Sequence, residues 1–175
     1  MKKNVCIFLI IAATLVVQSS LGLLLPAILS VPNLALILTC SMGFMRGKKS
    51  GMWTGFFSGL ILDLFYGGIF GFTALILLYI GYFNGFLFKV FFDEDIRIPL
   101  VAVGISDIVY GLACYLIRFL NGTSLTLGSC MIHTILPEAV CTMLFTIPLY
   151  FLYHWLNSKI TAIELEEEQS PWLRR

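Results

Sequence analysis

Charge is what this sequence has least of. Asp, Glu, Lys and Arg make up 12% of its 175 residues, against 59% hydrophobic, where a soluble globular domain carries roughly 25% charged residues. A chain this apolar cannot cover its own surface in water, and a bilayer is its natural solvent. Catalytic signatures are also missing. There are 2 histidines, and no H-E-x-x-H, G-x-G-x-x-G, Walker loop or Ser/His/Asp set is found. His133 and Glu138 form H-x4-E, a poor match to the acyltransferase H-x4-D, so no enzyme activity is expected. The cysteines Cys6, Cys40, Cys114, Cys130 and Cys141 lie scattered in apolar stretches. They have no C-x-x-C or metal-ligand spacing and read as small apolar side chains, so neither metal nor cofactor is expected. A net charge of +1 argues against a nucleic-acid partner.

What the sequence does have is long hydrophobic runs. A spanning helix needs about 20 apolar residues, and the runs predict an all-α, polytopic bundle of six spans near residues 5–25, 27–45, 51–66, 71–88, 98–117 and 137–157. The first resembles a secretory signal, but charge-free sequence continues to Met45 and Gln18-Ser19-Ser20 is a poor cleavage site, so an uncleaved span is expected. Pro32-Asn33 shortens the second to a strong core of Leu34 to Met45, which allows a short or partly re-entrant helix. Residues 92–97 form a charged loop, and Asn121-Gly122-Thr123 reads as a turn. Counting back one bilayer thickness puts the start of the sixth span near Pro137, with Leu125 to Leu136 at the outer surface or extending the helix. Residues 160–175 read as an acidic, disordered cytoplasmic tail.

Lysine and arginine set the orientation. With six spans and the N-terminus inside, every Lys and Arg falls on the cytoplasmic side except Arg118. That asymmetry is expected to place both termini on the cytoplasmic side of the membrane.

The third span carries the most specific pattern. Gly51, Gly55, Gly59 and Asp63 recur every fourth residue and share one helical face. Such a face lets another helix approach closely, either one of the protein's own or a partner's. Asp63 lies near the C-terminal end of its helix, where the macrodipole disfavours a carboxylate, so a partner is expected; Arg118, at a similar depth, is the candidate for an ion pair. Asp107 is tenth in the stretch Ile98 to Ile117, near mid-bilayer. An intramembrane carboxylate is a functional candidate by default, as a proton or cation site or as a neutral hydrogen-bonding group. Glu138 follows Pro137, which suits the start of a helix.

Several of these features in order resemble the rod shape-determining MreD family. They are Pro32-Asn33-Leu34, the basic turn Arg46-Gly47, the run Gly51-x3-Gly55-x3-Gly59-x3-Asp63, Gly67-Gly68-Ile69-Phe70-Gly71 and Tyr79-Ile80-Gly81-Tyr82. The resemblance covers Pro32 to about Gly85; where family members often carry Asp, this chain has Asn33. It implies a non-enzymatic scaffold acting with an MreC-like bitopic protein, an MreB-like filament and peptidoglycan synthases. It also implies a fold similar to the substrate-binding subunits of energy-coupling-factor transporters. The alternative is a transporter subunit that binds a vitamin-like molecule, with Asp107, Trp53, His133 and Glu138 lining its pocket.

Overall fold

A computed structural model of the chain describes residues 2–24, 31–66, 69–87, 97–120, 122 and 127–169. Among these residues the fold is all-α. The helices are α1 (Lys2–Leu24), α2 (Leu34–Arg46), α3 (Lys48–Tyr66), α4 (Phe72–Leu87), α5 (Arg97–Leu120), α6 (Leu127–Cys130) and α7 (Leu136–Gln169). A π-helical turn, Met131–Ile135, joins α6 to α7 without a break, which gives six continuous rods. The charged stretch 92–96, the glycines 67–68, the turn residues 121 and 123 and the end of the tail lie outside the described residues.

The core is built on α2, in which Leu34 to Phe44 are all buried. With 13 residues it is about 20 Å long, short of the ~30 Å hydrocarbon thickness, and its N-terminus opens inside the bundle. Helix N-termini carry N–H groups with no intrahelical acceptor, and here side chains accept from them. The Leu36 N–H donates to Asn33 Oδ1 at 3.2 Å, and the Ala35 N–H to Gln18 Oε1 of α1 at 3.0 Å. The Asn33 N–H donates to Thr142 Oγ1 of α7 at 3.2 Å. Non-helical backbone at membrane depth is tolerated where protein buries and satisfies it, and this arrangement meets that condition. Ile11 and Leu15 of α1, Leu77 and Ile80 of α4, Val103 of α5 and Tyr153 of α7 close around α2. The Tyr153 hydroxyl also bonds Thr14 Oγ1 at 3.1 Å.

A single residue, Gly47, separates α2 from α3. Its φ of 82° and ψ of −176° are open essentially to glycine alone. Helix α3 therefore starts at Lys48, earlier than the expected 51, and the basic turn forms its first turn. Cations are poorly placed at a helix N-terminus; Lys48 finds compensation with its Nζ 4.2 Å from the Phe86 ring centroid and 5.3 Å from that of Tyr82.

In the C-terminal part the last rod begins at Leu127, so residues 127–136 extend the helix upstream of Pro137, through a π turn that ends two residues before it. Such a turn changes the hydrogen-bond register where proline has no N–H to offer the preceding turn. The tail does not unravel at residue 160, since α7 continues to Gln169. Its sequence there, rich in Glu, Leu, Ile and Ala, favours helix.

Two helices, Ile98–Leu120 and Leu127–Thr161, are long and apolar enough to cross a membrane, and 28% of the most apolar window in each is buried. Core helices of a soluble protein would be mostly buried. Val101, Ile105, Val109, Leu144 and Phe151 instead face outward.

Candidate functional site

The glycine face of α3 is occupied by the chain's own helices. A Cβ placed on Gly51 would lie 2.4 Å from the Gly81 carbonyl oxygen, one on Gly55 2.3 Å from that of Leu77, and one on Gly59 2.4 Å from Ala74 Cα. A Cβ on Gly85 of α4 would in turn lie 2.5 Å from Lys48 Cα. These pairs run in antiparallel register along the whole α3–α4 contact. Helix α2 joins the seam through Gly43, whose Cα would be 2.9 Å from a Cβ on Gly51. The Thr39 and Ser58 hydroxyls meet at 3.4 Å across α2 and α3, each also within reach of a carbonyl of its own helix, so one of the two donates across the seam while the other donates to its own backbone. Of the two readings of the stripe, the structure realises internal packing. With α4 seated on it, no open groove remains there for a partner's helix.

Asp63 closes the same seam and does not form the expected ion pair with Arg118. Its Oδ2 accepts from the N–H groups of Gly71 at 2.9 Å and Ala74 at 3.3 Å, at the N-terminus of α4. The carboxylate thus sits at the positive end of a neighbouring helix, which offsets its position at the end of its own. Sequence spacing along α3 cannot show this, because the donors belong to the next helix. Arg118 is exposed at the end of α5 and exerts its field on Glu138.

Asp107 is the most unusual side chain. It is 2% exposed, and neither carboxylate oxygen has a hydrogen-bond partner. The hydroxyl of Thr142 on α7 lies beside it without hydrogen-bond geometry, and Glu138 lies within electrostatic reach. Neighbouring Ser106 accepts from Asn84 Nδ2 at 2.9 Å and contacts the Cys40 thiol. Asn84 Oδ1 and Ser41 Oγ are also unpartnered. Sequence reasoning found Asp107 by its depth and marked Asn33, but missed Asn84 on α4, Ser106 beside Asp107 on α5 and Thr142 on α7, which are uncharged. Polar side chains within apolar runs are the signal that would have found them.

Two openings flank this interior at opposite ends of α2. A cavity of about 320 Å³ at its N-terminal end is lined by Gln18, Asn33, Asp63, Thr73, Tyr110 and Glu138. A cleft of about 940 Å³ lies at its C-terminal end between α1, α3 and α7, bounded by Phe8, Trp53 and Phe57 and by Arg46, Lys49 and Asn157. The Arg46 Nε–H donates to Asn157 Oδ1, which fixes the level of α7 against the end of α2. The four residues expected to line one transporter pocket are separated. Trp53 belongs to the cleft and Glu138 to the cavity. His133 is exposed with Nδ1 3.1 Å from the Ser129 carbonyl oxygen, and Asp107 is buried outside both.

The termini of the rods sort by charge. Arg46 ends α2, Lys48 and Lys49 open α3, Arg97 opens α5, and Lys159 lies two residues beyond the Arg46–Asn157 contact, all at one end of the bundle. Asp63, Glu138 and Arg118 occupy the other.

Searches among curated proteins and among solved structures give no match. The family described as MreD, rod shape-determining protein, matches residues 2–159. That range takes in every described helix, apart from the end of α7, and the chain belongs to this family.

Proposed function

We propose that this membrane protein is a non-enzymatic, six-span scaffold subunit of the bacterial cell-shape machinery. Both of its ends lie in the cytoplasm, and it holds a bitopic MreC-like partner and supports peptidoglycan synthesis alongside an MreB-like filament. The observation that carries the reading is the family match over residues 2–159, since a rod shape-determining family implies a role in cell shape. The charge sorting supports the topology, because a basic end is what the cytoplasmic side of a membrane protein presents. With the glycine seam filled by α4, the partner's helix packs on the lipid-facing surface. In lipid, helix association rests on van der Waals packing and hydrogen bonds.

The test is depletion in the native host followed by purification of the tagged protein in mild detergent. Depleted cells are expected to lose rod shape, and a bitopic membrane protein is expected to co-purify. Retained cell shape together with purification of the chain alone would overturn the reading. A second reading, the vitamin-binding subunit, is favoured by one observation: the polar cavity of about 320 Å³ beneath Asn33 and Glu138 is at the small end of ligand sites. A metabolite that stays bound through purification, with no partner protein, would favour it.

A further inference from the structure

We propose that the cleft between α1, α3 and α7 seats one anionic diacyl phospholipid of the cytoplasmic leaflet, its phosphate at Lys49 and Arg46 and an acyl chain along Phe8, Trp53 and Phe57. The inference rests on the proposed orientation for the choice of leaflet and for the argument against a partner's helix. The cleft measures about 940 Å³, and no acidic side chain is among its described lining residues. One end is cationic, with the hydroxyls of Ser50 and Thr161 beside it, and Ile7, Phe8, Ile11, Trp53 and Phe57 form an apolar, aromatic stretch behind it, so its occupant carries negative charge at one end and hydrocarbon behind it. Lys49 is exposed at the start of α3, and Asn157 holds Arg46 against α7. Trp53 is 61% exposed and stacks on Phe57, with ring centroids 5.7 Å apart and planes 22° off parallel. The pair forms a flat wall along the helix axis, the direction in which an acyl chain lies.

Charge also decides against a partner's transmembrane helix as the occupant. The cytoplasmic flank of such a helix is itself enriched in Lys and Arg, which Lys49 and Arg46 would repel. Anionic lipid headgroups are attracted to basic pockets between helices on that side.

The test uses the full chain with Trp155→Phe and Trp172→Phe, so that Trp53 is the reporting fluorophore. It is placed in lipid nanodiscs containing brominated phosphatidylglycerol or brominated phosphatidylcholine over the same series of mole fractions. Trp53 is expected to be half-quenched at roughly fivefold to tenfold lower mole fraction of the anionic lipid. Lys49→Glu is expected to erase that preference; an acidic residue in the first turn of α3 suits the helix, so this variant folds. Equal quenching by the two lipids overturns the proposal, as does a preference that survives Lys49→Glu. Protection of Trp53 from both lipids by a co-reconstituted bitopic partner also overturns it, by making the cleft a helix seat. Nanodiscs present the same lipid on both faces, so this result is independent of orientation. Labelling of Lys49→Cys by an impermeant maleimide from outside intact cells, compared with the parent chain, would refute the cytoplasmic leaflet and the topology separately.

Discussion

Gly55→Ala is the sharpest test of how the bundle is held together. The added Cβ would sit 2.3 Å from the Leu77 carbonyl oxygen, 2.7 Å from its carbon and 2.9 Å from Thr39 Cγ2. Ordinary contact begins at 3.4 Å, so α3 and α4 must part by about 1 Å. The nearest atoms are backbone, and no rotamer change relieves them. Overpacking of this kind costs about 1–3 kcal/mol, occasionally more. Parting the helices also loosens the contacts at Gly51 and Gly59, because a radial gap of 0.5–1 Å forfeits about a quarter to a half of the dispersion well. Gly22 in α1 is the control, since a Cβ there meets nothing within 4 Å. Gly22→Ala should be neutral or stabilising by up to about 1 kcal/mol through helix propensity. The assay is thermal unfolding in mild detergent, followed by the soluble fraction after heating. Gly55→Ala is expected to melt several degrees below the parent, at about 2–4 °C per kcal/mol, and Gly22→Ala at or above it. Adding Thr39→Ser removes the Cγ2 contact but leaves the carbonyl, so the double variant should recover little. Equal melting of Gly55→Ala and Gly22→Ala would refute the close-packed seam.

Three further outcomes follow from the geometry. Asp63→Ala should lower stability by about 1 kcal/mol as an N-cap is lost, and a double reversal, Asp63→Arg with Arg118→Asp, should be no better than Asp63→Arg alone in the same melting assay; rescue would reinstate the ion pair. Asp107→Asn should leave folding intact or raise the melting temperature, because an aspartate at the bilayer centre costs about 2.5–3.5 kcal/mol on insertion scales and no hydrogen bond to it is lost; a marked loss would reveal a partner for the carboxylate. Gly47→Ala forces a side chain into a glycine-only region and should cost about 1–3 kcal/mol, seen as reduced accumulation in the membrane; unchanged accumulation and melting would count against the one-residue turn.

Hydropathy made the number of rods among the described residues legible. It worked because apolar runs and charged breaks are local signals. Pro32 and Asn33 likewise marked a shortened second helix, and α2 begins at Leu34. The glycine period gave the face but not its occupant: Gly43, Gly81 and Gly85 complete the seam from two other helices, and nothing local in the sequence pairs them with Gly51. Asp63 failed for the same reason in another form. Its acceptors' partners are backbone N–H groups of α4, which look alike in every sequence, whereas Arg118 stands out on the page and lies elsewhere in space. One bilayer thickness counted back from the end of the last span reaches Pro137 but cannot say whether the helix extends upstream; a π turn before Pro137 lets it pass through.

The length of α7 has a consequence of its own. From the level of the Arg46–Asn157 contact the helix runs on to Gln169, twelve residues and about 18 Å of rigid rod. Gln169 is therefore held on a stiff post clear of the basic collar formed by the other helix ends. Its distance from that collar is set by helical rise.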